Sequence, residues 1–362
     1  MTGLGSDSSL PVRRVAAGRL VLVLASVAFA IVLLLQILNA AGVVAVGWVN
    51  WRPALWAYLA WCMGLSVGLV LMWGERGLRA LFVLPAALFT LAMAVFPTVF
   101  GISIAFTDWN LSAFEGRQFN GLDNLVQLAR DPGFWNALGN MLFYLLAVSF
   151  EYAIAFGLAL LLNSEILGRK YWRIAFLIPF MLSPVAVSWI VGKSMLEYRF
   201  GPIAKLARWL GWTDPAFFAS PWTARLAIEA IDAWVSIPFV MILLLAGLQA
   251  MSKDVQEAAR VDGATAWQSF WLITFPIMLP VSLTAIILRI IFKLKLADIV
   301  INITSGGPGG ATDTVSSFIY REYRDRSNVG YGTMMAMIYL VLIVALVGGL
   351  LRLLSRYLRP ST

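Results

Sequence analysis

The sequence has no histidine and one cysteine, Cys62, among its 362 residues. Histidine is the commonest general base and metal ligand in proteins, so its absence excludes His-dependent hydrolases and His-ligated metal sites. A single cysteine leaves no partner for a disulfide within the chain. We therefore predict neither catalytic residues nor a metal site.

Charged residues are also scarce. They make up 13% of the chain, whereas soluble domains carry about 25%. Hydrophobic residues account for 60% of the chain, and the mean hydropathy is +0.83. Such a composition cannot cover a water-facing surface, so the chain belongs in a bilayer.

A phosphate-binding loop is missing too. No Gly-x-x-x-x-Gly-Lys-Ser/Thr motif occurs, and the glycine run 306–310 has no Lys after it. ATP and Mg²⁺ must therefore bind to another chain if ATP drives this protein. The formal charge of +8 does not indicate nucleic-acid binding, because Lys and Arg are dispersed at the ends of apolar segments. That distribution is typical of loops anchored beside anionic lipid.

Eight long apolar segments predict an all-α integral membrane protein. A helix needs roughly 20 mostly apolar residues to cross a bilayer. The segments are 20–51, 53–74, 80–107, 137–162, 174–192, 224–250, 277–300 and 332–351. The first is too long for a signal peptide, so we interpret it as a retained span. Prolines at 179, 184 and 238 predict kinks in their helices.

Two short basic loops indicate the orientation. Residues 75–79 and 168–173 carry Arg and Lys close to span ends, where positive charge favours the cytoplasmic side. Eight spans then place both termini on that side. We expect a multi-pass membrane protein with both termini in the cytoplasm.

A polar stretch, residues 252–280, lies between the sixth and seventh spans and has a helix–turn–helix pattern. Ser252 is a favourable N-cap, and Gly263 suits the left-handed end of a short helix. Thr265 and Gln268 have the spacing of a capping box that opens a second helix. One interpretation is an amphipathic loop helix that lies on the membrane without a protein partner.

A second interpretation comes from a longer pattern in the same stretch. It consists of Glu257, Ala258, Ala259, Gly263, Ile273 and Pro276. The pattern resembles the EAA loop of permease subunits in binding-protein-dependent (type I) ABC importers, although Phe275 stands where Leu is more frequent. The resemblance implies that the short helix docks on a cytoplasmic ATPase. The coupling residues would be Glu257, Ala258, Ala259, Asp262 and Gly263.

The likeness extends to the outer loops and identifies a branch of that family. The loops concerned are 107–109, 119–124, 131–136 and 305–313. They resemble the loops of carbohydrate-uptake permeases, such as the larger membrane subunit of the maltose importer, over about residues 81–351. The resemblance implies a six-helix permease core at 77–362, with a cytoplasmic N-terminus and two extra helices in 1–76.

Charged residues inside the spans allow two interpretations. Glu151 lies in the fourth span, and Arg289 and Lys293 lie one turn apart in the seventh. Charges in hydrocarbon pair with each other or face a water-filled cavity. The first interpretation is an internal ion pair of Glu151 with Arg289 or Lys293. The second is a translocation path lined by Trp189, Trp234, Lys293 and Asp298.

The glycine-rich turn after the seventh span also has two interpretations. Such a run is often only an irregular connection. Alternatively, its bare backbone lets an extracytoplasmic binding protein approach. The contact residues would then be Gly306, Gly307, Pro308 and Gly309.

The sequence thus predicts the membrane subunit of an ATP-driven carbohydrate or polyol importer. The resemblance implies a second permease subunit, a dimer of cytoplasmic ATPases and a solute-binding protein as partners. It also implies a bacterial or archaeal cytoplasmic membrane as the location. The alternatives are an ion-gradient-driven secondary transporter and the same architecture importing an anionic sugar or glycerol phosphate. A membrane-embedded enzyme would need clustered reactive groups, and Glu151, Glu229 and Asp232 are scattered along the sequence.

Overall fold

The computed structural model describes residues 11–40, 44, 46–48, 50–114 and 116–357. Within these ranges the regular elements are helices. Two isolated β-bridges also occur, Thr107 with Phe119 and Asn110 with Asn328. The predicted all-α class is confirmed. Part of the predicted N-terminal cytoplasmic segment, residues 1–10, lies outside the described residues. The chain divides into two compact units, 1–100 and 101–362.

The first unit is built on close packing of its first two helices. Its elements are α1 (Val12–Ala40), α2 (Arg52–Trp73), α3 (Glu75–Thr90) and a π-helical turn (Leu91–Val95). Gly68 lets α1 approach α2, because a Cβ at this position would lie 2.4 Å from Leu22 Cγ. The rings of Phe29 and Trp61 stack between the same two helices at 5.2 Å. The domain boundary at residue 76 stays a prediction.

Of the remaining helices, α4 (Phe96–Ala105) begins within the first unit and ends within the second, and the others belong to the second unit. They are α5 (Asp123–Arg130), α6 (Pro132–Asn163), α7 (Arg169–Met181), α8 (Pro184–Val187), α9 (Pro202–Trp209), α10 (Pro221–Ala250), α11 (Lys253–Val261), α12 (Ala266–Ser269), α13 (Phe275–Leu294), α14 (Asp298–Ile303), α15 (Val315–Arg324) and α16 (Val329–Tyr357). Two further π-helical segments are Ser188–Met195 and Phe270–Thr274.

The centre of the second unit is the packing of α6, α10 and α13. Ala155 and Ala159 of α6 are fully buried in a core shared with α10 and α13. Gly247 of α10 lies so close to α13 that a Cβ there would be 2.9 Å from Met278 Cε. Small residues allow helix backbones to approach closely in a membrane. The three helices therefore form one scaffold, and it carries the charged residues Glu151, Glu229, Asp232, Arg289 and Lys293.

The predicted spans are confirmed, with one of them sharply bent. Seven helices of the described chain are long and apolar enough to cross a membrane, and an eighth crossing exists if a bent pair counts as one span. That pair is α7 and the segment Pro184–Met195, which meet at 94°. Pro184 disfavours helical geometry at Ser183, whose ψ is 135°. The predicted kink at Pro184 is therefore confirmed, whereas Pro179 and Pro238 lie inside continuous helices.

Candidate functional sites

The polar stretch 252–280 begins with a short capped helix, α11. The Ser252 side chain accepts a hydrogen bond from the Asp254 backbone N–H at 3.2 Å. Asp254 in the first turn and Arg260 in the last both complement the helix dipole. After the helix, Gly263 has φ +74°, the left-handed conformation that glycine adopts most readily. The predicted N-cap and glycine turn are confirmed.

The second helix of the stretch starts at a capping box. Thr265 Oγ1 accepts from the Gln268 backbone N–H at 3.3 Å, and Gln268 Oε1 accepts from the Thr265 N–H at 2.9 Å. The predicted capping box is confirmed. From α12 the chain continues through the π-helical segment into α13 without leaving helical geometry. The glycine turn therefore attaches α11 directly to one end of a long core helix.

The residues proposed for ATPase coupling do not all have the same exposure. Glu257, Ala258, Asp262 and Gly263 are exposed, whereas Ala259 is 5% exposed. Val261, near the end of the helix, is 87% exposed. The outer face of α11 thus offers a carboxylate and a small side chain, while Ala259 packs against the protein. The coupling role of these residues stays a prediction.

A cleft of about 910 Å³ lies on the inner side of α11, between this helix and α6. Tyr152 and Phe156 line it from α6, and Ala259 lines it from α11. The Phe156 and Phe270 rings meet edge to face at 5.5 Å. These contacts join the polar stretch to α6 as well as to α13.

The buried charges form one cluster in the core of the second unit. Its members are Glu151 on α6, Glu229 and Asp232 on α10, and Arg289 and Lys293 on α13. The Lys293 ammonium donates to Glu151 Oε1 and Glu229 Oε2, both at 2.7 Å, and to Asp232 Oδ2 at 2.6 Å. Arg289 donates through Nη2 to Glu151 Oε1 at 2.8 Å and also pairs with Asp232. The predicted pairing of Glu151 with Arg289 and Lys293 is confirmed.

The charged groups of the cluster are paired with one another, three carboxylates with two cations. Lys293 is fully buried, and its ammonium also lies 5.9 Å from the ring centre of Tyr144. One carboxylate oxygen from each of the three acids lies within 4.8 Å of the others. The Lys293 ammonium contacts all three acids. Our expectation that these acids are scattered is wrong, because packing of α6 against α10 brings them together.

The other residues assigned to a translocation path take no part in the ion pairs of the cluster. Trp189 is 58% exposed and belongs to the π-helical segment after α8. Trp234, 45% exposed, lines an apolar groove of about 430 Å³ between α6, α7 and α10. Asp298 is exposed at the start of α14. A path lined by these residues and Lys293 stays a prediction.

The glycine-rich turn is a hydrogen-bonded loop seated on α6. Asn136 Nδ2 donates to the Gly310 carbonyl at 2.7 Å. Asn140 Nδ2 donates to the carbonyls of Gly310 at 2.9 Å and Asp313 at 3.0 Å. Within the loop, Thr312 Oγ1 donates to the Gly307 carbonyl at 2.8 Å. Specific hydrogen bonds thus hold the turn in one conformation. Its contact with a binding protein stays a prediction.

Exposure varies along this glycine-rich turn. Gly309 is exposed, Gly307 and Pro308 are half-buried, and Gly306 is buried. A Cβ on Gly306 would lie 2.1 Å from Asp313 Oδ1. Burial raises the pKa of the Asp313 carboxyl, and the paired Arg321 guanidinium opposes that shift. Of the four predicted contact residues, Gly309 is therefore the most accessible to another protein.

Comparison with known families decides where the chain belongs. The model of the family described as "Binding-protein-dependent transport system inner membrane component" matches residues 60–360, which is most of the chain. The chain belongs to this family. The permease is therefore a multi-pass inner-membrane component of a transport system that depends on a binding protein.

Relatives of the permease include permease proteins of named transport systems. It is 32% identical over 278 residues to the trehalose/maltose transport system permease protein MalF of Thermococcus litoralis, covering 76% of this chain and 92% of that protein. It is 30% identical over 282 residues to the sulfoquinovosyl glycerol transport system permease protein SmoG of Agrobacterium fabrum, covering 78% and 91%.

A solved structure supports the fold of the permease. A chain of the bacterial alginate ABC transporter, in complex with an alginate pentasaccharide-bound periplasmic protein, matches with a TM-score of 0.66 at 24% identity. The match covers 76% of the permease and 93% of that chain. The expected type I ABC permease fold is confirmed.

Sequence reasoning missed two members of the permease's ion cluster, Glu229 and Asp232. They are three residues apart on α10 and so share a helix face, as Arg289 and Lys293 do on α13. Two cations in one span require more than the single acid of α6. That mismatch is the signal in the sequence that indicated further acidic partners.

Proposed function

We propose that this permease is one membrane subunit of an ATP-driven importer that translocates a carbohydrate or polyol. The observation that carries the proposal is the exposed, capped α11, held by a glycine turn at one end of α13. Its partners are a second permease subunit, a dimer of cytoplasmic ABC ATPases and an extracytoplasmic solute-binding protein. ATP and Mg²⁺ bind in the ATPases, this chain makes no covalent bond, and both termini are cytoplasmic.

The coupling step follows from how α11 is attached. When the ATPases close on ATP, they displace α11, and the continuous helical path from α12 moves α13 with it. Arg289 and Lys293 tie α13 to α6 and α10 through buried ion pairs. Buried charges that lose a partner are costly, so the three helices move as one body. The bundle thereby rocks between inward-open and outward-open states.

The proposed substrate class rests on the relatives and on the charges of the core. Relatives named for trehalose/maltose and for sulfoquinovosyl glycerol transport support a carbohydrate. An anionic sugar would need free cations along its path. The seventh predicted span contains three basic residues, Arg289, Lys293 and Lys295. Arg289 and Lys293 are already paired with three carboxylates, and Lys295 is the exposed one. The core therefore favours a neutral polyhydroxyl solute over an anionic one.

The proposal is tested by gentle purification of the protein from its native membrane, followed by mass spectrometry of the proteins that stay bound. We expect an ATPase, a second permease and a binding protein, and a ligand screen on that binding protein then names the solute. Isolation of the chain alone, still transporting in vesicles with an ion gradient and no ATP, would establish the gradient-driven alternative. A binding protein selective for sugar phosphates would establish the anionic alternative.

A further inference from the structure

We propose that an anionic phospholipid binds where α7 begins, with its phosphate on Arg169 and Arg173 and one acyl chain in the groove between α6, α7 and α10. This inference is independent of the transported solute. It requires only that the start of α7 lies at a membrane surface, which the basic loop 168–173 beside two apolar helices indicates.

The groove has the dimensions and chemistry of an acyl-chain site. It measures about 430 Å³, and apolar side chains from three helices line it, among them Leu158, Phe176 and Met241. Along α7 it extends from Trp172 to Pro179, a rise of about 10 Å at 1.5 Å per residue. A polypeptide segment there would leave backbone N–H and C=O groups without partners, whereas hydrocarbon needs none.

The headgroup contacts lie on the same face of α7 as the groove. Arg169, Trp172, Arg173 and Phe176 follow the spacing i, i+3, i+4, i+7, so they share one side of the helix. Trp172 and Phe176 line the groove. Arg169 and Arg173 therefore stand at its mouth, with Trp172 between the charges and the hydrocarbon, where Trp is favoured in membranes.

The cations at this mouth lack acidic partners. No carboxylate of the described chain lies within ion-pair distance of Arg169, Lys170 or Arg173. Arg173 donates through Nη2 to the Leu162 carbonyl at 3.2 Å, and its Nε has no partner. A guanidinium carries five N–H donors. The Nε of Arg173 is buried and closed to a lipid, whereas its Nη1 group forms no hydrogen bond with the described residues and can donate to one. A phosphate oxygen supplies the missing acceptor and charge.

The experiment measures which lipids the intact transporter retains. The full complex is purified from its native membrane, placed in nanodiscs of equal parts phosphatidylglycerol and phosphatidylcholine, and re-extracted for native mass spectrometry. We expect retention of phosphatidylglycerol over phosphatidylcholine. Replacing Arg169 and Arg173 with Gln should lower this preference roughly fivefold per charge, since each basic residue near the surface contributes about 1 kcal/mol.

Three further variants separate lipid binding from folding. Arg173→Lys keeps the charge and should keep most of the lipid. Ala175→Trp fills the groove without a change of charge and should reduce retention. Arg76→Gln with Arg79→Gln removes the same charge from the other basic loop and should leave retention unchanged. Equal retention of both lipids by the wild type, or equal losses in the control and the Arg169/Arg173 variant, would overturn the proposal.

If the purified wild-type protein retained the lipid but showed no ATP-driven transport, the result would count against the proposed function and leave this lipid site standing. One consequence concerns Trp234, which lines the groove. With a lipid bound, the Trp234 ring contacts the acyl chain. A side chain that contacts lipid does not line a path for a polar solute, so this position is incompatible with the predicted role of Trp234 in translocation.

Discussion

At the scale of single residues, the buried ion cluster is the feature of the permease whose stability depends most on exact pairing. Five ionisable side chains lie in the membrane-embedded core, and Lys293 contacts all three acids. A charge in hydrocarbon is stable only with partners of opposite sign. The cluster therefore fixes the relative positions of α6, α10 and α13 more specifically than apolar packing does.

Removing the central cation should be far more harmful than neutralising one acid. Lys293→Met leaves Glu151, Glu229 and Asp232 with Arg289 alone, and breaking a buried pair in this way costs about 3–5 kcal/mol. Glu229→Gln keeps an acceptor for Lys293 and balances two carboxylates against two cations, so its cost should stay below about 1 kcal/mol. Thermal unfolding of the purified complex measures both. Similar melting temperatures for the two variants would contradict this arrangement of charges.

Only part of this residue-scale picture was predictable. A partner for Glu151 among Arg289 and Lys293 followed from the cost of isolated charges in a bilayer. The two cations of α13 indicated acidic partners beyond Glu151, but their identity as Glu229 and Asp232 did not follow, because it depends on how α10 is rotated against α6 and α13. Rotation is set by tertiary contacts such as the close approach of Gly247 to Met278, and no local pattern in the sequence encodes it.

At the scale of elements, the polar stretch was predictable because its structure is local. The Ser252 cap, the Gly263 turn and the Thr265–Gln268 capping box each depend on residues within a few positions of one another. The 94° bend was predictable only in place, at Pro184. Its size depends on what packs around it.

The glycine turn after α11 should tolerate no side chain without loss of coupling. Nothing lies within 4 Å of a Cβ built on Gly263, so Gly263→Ala tests the backbone alone. The left-handed conformation costs a non-glycine residue about 1–2 kcal/mol. We expect ATP-dependent uptake to fall several-fold while the amount of protein in the membrane stays normal. Gly348→Ala, in open space within α16, is the matched control; an equal effect there would remove the turn's special role.

The loop beneath the predicted binding-protein surface should depend on Asn140. Its amide donates to the carbonyls of Gly310 and Asp313. Without it Gly310 keeps the bond from Asn136, but the Asp313 carbonyl loses this donor, and an unpaired buried acceptor costs about 1–3 kcal/mol. Asn140→Ala should therefore weaken stimulation of ATP hydrolysis by the loaded binding protein and leave basal hydrolysis intact. Asn302→Ala, which removes only an exposed bond to Asp298, is the control. Unchanged stimulation in the Asn140 variant would show that the loop does not need this anchor.

At the scale of the whole molecule, the sequence predicted the class, the number of crossings and the family. These follow from long apolar segments and from one spaced motif, neither of which needs tertiary information. The division of the chain at residue 100 did not follow from either. The transported solute did not follow either, because neither the apolar segments nor the spaced motif is specific to one solute.

The central claim is that the outer face of α11 docks on a separate ATPase, and site-specific cross-linking tests it most directly. Cys62 is the only native cysteine, so a Cys62→Ser background allows single probes at Val261→Cys, 87% exposed, and Phe114→Cys, fully exposed in the loop after α4. In native membranes a short cross-linker with one thiol-reactive end and one photoactivated end, which inserts into nearby C–H or N–H bonds, should join the probe at 261 to an ATP-binding subunit, and the probe at 114 should give no such adduct. An ATPase adduct at neither position, or at both equally, would contradict the docking of α11.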